Sequence, residues 1–337
     1  KFFCEKVCEV GLRALHLRNS KATNTQILTV MRKYRALFSL LLLAATLSCT
    51  GQKTNASAAS AAPASATPEV YTFADSCRHL LVKLSLELPA GTDNATRQMR
   101  EALIADFMAN CRQPGYDQEN TFAVKPYSDK MDNPQAIVDY YGKADYDYLL
   151  AQAKADYNER VEYVDENPNL SAAERESIKN EVPRWTFEMS IKKETDAPRW
   201  AVYQSQSYVY YGGAHGGVTG SGALTFNKAT GKKISRFVRE DATGAIQPLL
   251  RRGLLQYFHA ADYDVSDSNL NSCLSISDGI IPQPADTPCP NAAGDSLLFT
   301  YRQYEIAPYA AGMPNFSIPV KDLMPYLTPE GKALLTK

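Results

Sequence analysis

The stretch Trp185-Thr-Phe-Glu-Met-Ser-Ile-Lys192, followed by Asp196-Ala-Pro198 and then Trp200 to Tyr211, decides the fold. Trp185, Phe187, Met189 and Ile191 alternate with Thr186, Glu188, Ser190 and Lys192. A period of two with one apolar side describes a half-buried strand. The Asp-Ala-Pro turn returns the chain as a second strand, so the segment is a β-hairpin. A further hairpin is expected from Ala223 to Phe226, the turn Asn227-Lys-Ala-Thr-Gly231, and Ile234 to Val238. Upstream, Leu80 to Leu88 alternates in the same way and ends at Pro89 and Gly91. Asp93 or Asn94 can cap a helix through Asn110 that carries Met99, Leu103 and Phe107 on one face. Asn133-Pro134 starts a second helix that runs towards Val164. Its tyrosines (Tyr140, Tyr141, Tyr146, Tyr148, Tyr157, Tyr163) suggest a binding stripe, or simply rings that pack while their hydroxyls reach water. Ala245 to Ala260 reads as a helix, Ser296 to Tyr304 and Phe316 to Val320 as strands, and Leu323 to Leu327 as a short closing helix. The class is α+β: an antiparallel sheet built from hairpins, with helices packed on one face.

The front of the chain has another character. Met31 is followed by Arg32, Lys33 and Arg35, then an apolar run from Ala36 to Leu47, then Ser48 and Cys49. A basic start, an apolar core and a small residue before the cut are the parts of a secretory signal. The run is well short of the roughly 20 apolar residues that cross a bilayer as a helix. Cys49 at the cut suggests a lipobox, although Leu47 and Thr46 depart from the strict motif, and an ordinary signal peptide cut nearby is the alternative. Residues 1–30 carry two cysteines and scattered charges and are expected to be an upstream non-native segment, or else a structured N-terminal piece. Residues 31–48 are then the lipoprotein signal peptide. Residues 49–68, rich in Ala, Ser, Thr and Pro, form a flexible tether that cannot bury enough surface to offset its ordering entropy. Residues 69–337 form the domain, with possible sub-regions 69–220 and 221–330.

Removing residues 1–48 takes eight of the 36 Lys and Arg and two of the 37 Asp and Glu. That leaves 28 and 35, a net charge of −7. This balance argues against nucleic acid and is compatible with a cationic partner. Four of the seven cysteines fall in the domain: Cys77, Cys111, Cys273 and Cys289. An even number in an exported chain points to disulfides. Of the three possible pairings, Cys77–Cys111 and Cys273–Cys289 are favoured because each is local in sequence. Zinc is the competing reading, with only Cys77 and His79 as near neighbours. The stretch between the last two cysteines reads as a pinned surface loop and a candidate recognition surface.

Two stretches stand out: Tyr210-Tyr-Gly-Gly-Ala-His-Gly-Gly217, and Tyr301 to Gly312 followed by Phe316-Ser-Ile-Pro319. The first lacks the Lys-Ser/Thr of a phosphate loop. Its glycines suit φ > 0 and close backbone approach at a strand end. His215 is a candidate base, but no Ser, Cys or carboxylate is tied to it by spacing. A histidine hydrogen-bonded inside a turn is the structural reading.

Gly212, Gly213, His215 and Gly216, the Phe226…Thr230-Gly231-Lys232 hairpin, and Tyr304, Glu305, Pro308, Tyr309 and Gly312 together resemble a known family. It is the extracytoplasmic domain shared by the lysozyme-sensing anti-sigma factor RsiV and the non-catalytic region of the peptidoglycan deacetylase PdaC. The resemblance implies an envelope binding module whose ligand is a cationic wall-active protein such as lysozyme, or peptidoglycan. It does not imply sigma-factor control, and the deacetylase's metal-binding motifs are missing here. No catalytic residue, metal or cofactor is assigned. The alternatives are a hydrolase acting on envelope material, favoured by a pocket joining His215 to a carboxylate such as Glu305, and a structural lipoprotein without a soluble ligand. The expected location is the bacterial cell envelope, lipid-anchored through Cys49 acyl chains and facing the periplasm. If Cys49 carries the lipid, Cys49→Ala is expected to move the protein out of the membrane fraction or leave it held by an uncleaved leader; a mature N-terminus elsewhere without lipid, found by mass spectrometry, would refute this.

Overall fold

Leu80, Val82, Leu84, Leu86 and Leu88 are all buried, so the alternation of Leu80–Leu88 (β2) places five side chains on one face of a sheet. The computed structural model describes residues 67–114, 123–212 and 216–336. The leader, Cys49, the tether up to residue 66, Gly213 and His215 lie outside the described residues. Among the described residues no helix is long and apolar enough to cross a membrane. The first sheet has the order β1-β2-β3-β4-β5, with β1 Glu69–Ser76, β3 Trp185–Asp196, β4 Trp200–Tyr210 and β5 Gly217–Asn227. A second sheet has the order β6-β7-β8, from Cys289–Pro290, Ser296–Thr300 and Asn315–Pro319.

Hairpin pairing is as the sequence predicts for β3–β4, and β4–β5 and β1–β2 are antiparallel too. The β2–β3 pair is instead parallel, with Val82 opposite Phe187, Leu84 opposite Met189 and Leu86 opposite Ile191. Parallel neighbours need a crossover. It is supplied by α1 (Asn94–Cys111), α2 (Pro134–Glu166) and α3 (Ala172–Asn180). Asp93 caps α1 by accepting the Thr96 amide at 3.0 Å, and Asn133 caps α2 by accepting that of Ala136 at 3.2 Å. Met99, Leu103, Ile104 and Phe107 of α1 join Ile137, Val138, Tyr141 and Leu149 of α2 in one core with the inward residues of β2 and β3. Of the tyrosines on α2, Tyr141 belongs to this core and Tyr163 is exposed.

A second core lies under the C-terminal half. Leu250, Leu254 and Phe258 of α4 (Gln247–Ala260) pack with Leu297, Phe299, Phe316 and Ile318 of β7 and β8. Trp200 and Val202 at the start of β4 also belong to this core. Ile234 to Val238 is no strand: after the single bridge Phe226–Lys233, Ile234, Phe237 and Val238 turn into the second core. β7 ends at Thr300 rather than Tyr304: the Tyr301 amide still bonds Pro314 O at 2.8 Å, but the chain then turns at Arg302–Glu305, where the Glu305 amide bonds Arg302 O at 3.2 Å. The closing segment is α6 (Val320–Leu323), a 3-10 turn, and α7 (Pro329–Leu335); α5 is the short Leu270–Cys273.

The expected disulfides are corrected. No disulfide joins any of the four cysteines. Cys77 sits in the β1–β2 turn, its amide bonded to Leu80 O at 2.8 Å and its thiol engaged with Tyr146. Cys111 ends α1, wholly buried. Cys273 ends α5, and Cys289 is fixed in β6 opposite Leu298. Closeness in sequence does not bring thiols within bonding distance when each is held by a different element.

One core group is out of keeping with its surroundings. Asp145 on α2 is completely buried, and among the described residues neither carboxylate oxygen has a hydrogen-bond partner. Burial raises its pKa well above the usual carboxylate range. The folded pKa therefore exceeds the unfolded value of about 3.9, so stability is fully present below that pH and is lost as pH rises through the folded pKa. Asp145→Asn is expected to match the wild type near pH 3 and to be about 1–3 kcal/mol more stable at pH 7 by denaturant titration. A constant difference across that range would show that the acid does not ionise on unfolding as proposed.

Candidate functional site

Asp106 and Asn110 lie four residues apart in the last turns of α1, and therefore on one helix face. The Asn110 amide donates to Asp106 Oδ2 at 3.1 Å. Ser205 of β4, buried in the sheet, donates its hydroxyl to the same oxygen at 2.6 Å. These three residues form one wall of a cleft of about 310 Å³. Gly222 to Leu224 of β5 continue this wall, Gly222 pairing with Ser205 in the sheet, and the second wall is Lys233 to Ser235, Ala285 to Thr287, and Arg302.

Arg302 and Asp286 close that second wall. Arg302 Nε donates to Asp286 Oδ2 at 2.7 Å and Nη2 to Oδ1 at 2.6 Å, the bidentate geometry that suits guanidinium and carboxylate. The Asp286 side chain is 16 % exposed and that of Arg302 40 %, so carboxylate lies beneath guanidinium. Asp286 raises the Arg302 pKa, and Asp106 adds to this from across the cleft. A Cβ on Gly222 would lie 2.8 Å from Asp286 Oδ1, so a side chain at this position of β5 would displace the Asp286 carboxylate. Thr287 donates its hydroxyl to Ser235 O at 2.7 Å and ties the two loops together.

The sequence motifs support this wall from behind. Glu305 accepts the backbone N–H of Ala285 through Oε1 and that of Arg302 through Oε2, both at 2.7 Å. Its carboxylate is thus committed to holding the turn. Tyr304 follows Arg302 by two residues with φ of 65°, exposed, its ring 5.6 Å from that of Tyr309. Tyr309 donates to Gly216 O at 2.5 Å, which joins the two motifs read separately in the sequence. Gly216 is pressed against the Tyr208 ring and hydroxyl, leaving no room for a side chain. Gly212 has φ of 75° and its carbonyl accepts from Arg160 Nη2 at 3.0 Å. Pro308 is exposed ahead of the Tyr309–Ala311 turn, and Gly312, with φ of 71°, ends it. A second, shallower hollow on the outer side of α4 includes Arg251, His259 and Asp267, but Arg251 is paired with Asp267 at 2.9 Å and His259 with Val265 O at 2.5 Å.

Of the residues expected from sequence to mark the site, Glu305 borders the cleft as a brace and the described motif glycines shape the backbone. Asp106, Asn110, Ser205, Lys233, Asp286 and Arg302 were not singled out. Arg302 was inside the quoted Tyr301–Gly312 motif, and Asp286 inside the 273–289 loop expected to carry recognition.

Residues 245–321 match a family described as a protein of unknown function, DUF3298. No curated protein is similar enough to count as a relative. Among solved structures, a DUF3298 family member from Bacteroides fragilis is similar with a TM-score of 0.54 at 17 % identity, covering 81 % of this chain and 98 % of that one. A DUF3298 family protein from Pseudomonas aeruginosa gives a TM-score of 0.46 at 14 % identity, covering 79 % and 96 %. At such identity the first likeness is one of fold.

Arg302→Gln leaves the Asp286 carboxylate under a neutral side chain and is expected to cost about 1–3 kcal/mol. Adding Asp286→Asn should recover part of that, giving a coupling of roughly 0.5–2 kcal/mol after allowing for the solvent at Arg302. Additive losses in the double-mutant cycle would show that the fork contributes nothing as a pair.

Proposed function

We propose that this chain is a lipoprotein of the bacterial envelope whose domain binds a peptidoglycan-derived ligand in the cleft between α1 and the Arg302 turn. The observation that carries the reading is the set of committed side chains there. Asp286 is locked to Arg302, Glu305 holds two backbone amides, and Ser205 donates to Asp106. Polar groups fixed in this way keep the cleft pre-formed for a bound molecule. The leader ending at Cys49 and the resemblance of Tyr304 to Gly312 to the RsiV and PdaC extracytoplasmic domain support an envelope setting. A cleft of about 310 Å³ suits a wall fragment better than the surface of a globular protein such as lysozyme.

The Ser205–Asp106 contact favours a hydrolase as the second reading, since a hydroxyl bonded to an acceptor is one element of nucleophilic catalysis. Among the described residues no imidazole lines the cleft to take that proton. Co-sedimentation of the full chain with insoluble peptidoglycan tests both. Retention that persists at roughly 0.15 M salt and is displaced by soluble wall fragments is the expected result. Retention lost at that salt would overturn the reading in favour of charge attraction alone. Binding to lysozyme but not to the wall would move the ligand to a protein, and release of new soluble fragments would establish the hydrolase.

A further inference from the structure

We infer that the cleft takes a small zwitterion, a free amino acid or dipeptide, with its carboxylate held by Lys233 and Arg302 and its ammonium by Asp106 and Asn110. This deepens the reading of the cleft as a ligand site and rests on it.

The hydrogen-bonding capacity that the fold leaves unused carries the inference. Two acidic and two basic side chains line the cleft: Asp106, Asp286, Lys233 and Arg302. Asp286 is consumed, because both its oxygens accept from Arg302. Arg302 uses Nε and Nη2 in that fork and, among the described residues, keeps the Nη1 donors. Lys233 is exposed and makes no ion pair or side-chain hydrogen bond among the described residues. Two cationic donors therefore remain for an incoming anion. Among the described residues Asp106 uses only Oδ2 towards Ser205 and Asn110, so Oδ1 remains an acceptor. Asn110 donates through Nδ2 and keeps its amide oxygen.

The two kinds of vacancy are not interchangeable. Asp106 and Asn110 sit at the C-terminal end of α1, where the helix dipole favours positive charge. A ligand carrying only an anion would compete with Asp106 for Arg302 and leave Asp106 Oδ1 without a cation of its own. A neutral sugar would satisfy Asp106 and Asn110 but bring no counter-charge to Lys233 and Arg302. A molecule with both charges satisfies each wall. The volume, about 310 Å³, is near the lower limit for ligand pockets, which suits an amino acid or dipeptide, free or as the exposed end of a wall peptide.

Calorimetric titration of the full chain with four probes tests this: alanyl-alanine, its N-acetyl form, its C-terminal amide, and N-acetylglucosamine. The free dipeptide is expected to bind at least roughly tenfold more tightly than either blocked form, one such factor corresponding to about 1.4 kcal/mol. Asp106→Asn keeps an acceptor for Ser205 and is expected to erase the preference over the N-acetyl form. Lys233→Gln, at an exposed side chain with no internal partner, is expected to weaken the dipeptide and its N-acetyl form but not the amide. Equal affinity for free and blocked dipeptides would overturn the inference. So would N-acetylglucosamine binding more tightly than the dipeptide, although the cleft would then still be a ligand site. If none of the four binds, the zwitterion is excluded and retention by peptidoglycan decides the wider reading separately.

Discussion

The parallel pairing of β2 with β3 sets the course of the remaining chain. Two strands that run the same way cannot be joined by a turn, so nearly all of residues 89–184 must leave the sheet and return across it. The returning segment is apolar where it meets the sheet, through Leu103 and Phe107 of α1 and Ile137 and Leu149 of α2, and this burial pins the crossover to one face. Because α1 packs across β2, β3 and β4, its last turns reach Ser205. Asp106 and Asn110 could not form a wall with β4 if β2 and β3 were joined as a hairpin.

The other wall depends on electrostatics more than on burial. The turn at Arg302–Glu305 contains a non-glycine residue, Tyr304, in the left-handed region, which is unfavourable by itself. It is held by the Glu305 carboxylate, which takes one amide from inside the turn and one from Ala285. The same brace therefore fixes the loop that carries Asp286 relative to the turn that carries Arg302. Tyr309 extends the connection to Gly216 at the start of the β5 side. Charged hydrogen bonds to backbone amides are stronger than neutral ones, so a short irregular segment can be held rigidly without a strand or helix.

Much of this architecture was legible in the sequence, and the omissions have physical causes. The alternation in Leu80–Leu88 and Trp185–Ile191 showed those strands because one face of each is buried. β1 carries that signal weakly: only Tyr71 and Phe73 pack against the core, the other residues are exposed, and the strand is held mainly by backbone pairing to β2. α3 buries nothing, so it has no apolar stripe, although Ser171 and Glu174 form a capping box that the spacing does contain. Parallel pairing left no local mark, since register between distant strands is a tertiary property. The cysteines misled because an even number in an exported chain is a statement about redox environment, whereas bonding needs geometry. The cleft residues were hidden for a related reason. Asp106, Ser205, Asp286 and Arg302 are scattered along the chain, and each has the composition of an ordinary surface position until the fold brings them together.

The distribution of those residues bears on how the site divides its work. The segment that matches DUF3298, residues 245–321, supplies Ala285 to Thr287 and Arg302, together with the Glu305 brace. Asp106, Asn110, Ser205, Gly222 to Leu224 and Lys233 to Ser235 come from outside it. The anion-facing donors are thus divided between the two parts, Arg302 in one and Lys233 in the other, while the acceptors left on α1 belong wholly to the crossover. A change in the crossover can alter what faces the ligand's cationic side without touching the Arg302–Asp286 fork. A change in the fork alters the frame as well as the ligand contacts, because Gly222, Thr287 and Glu305 are all shaped around it. Ligand preference is therefore more easily varied from the α1 side of the cleft, and the integrity of the cleft rests on the other.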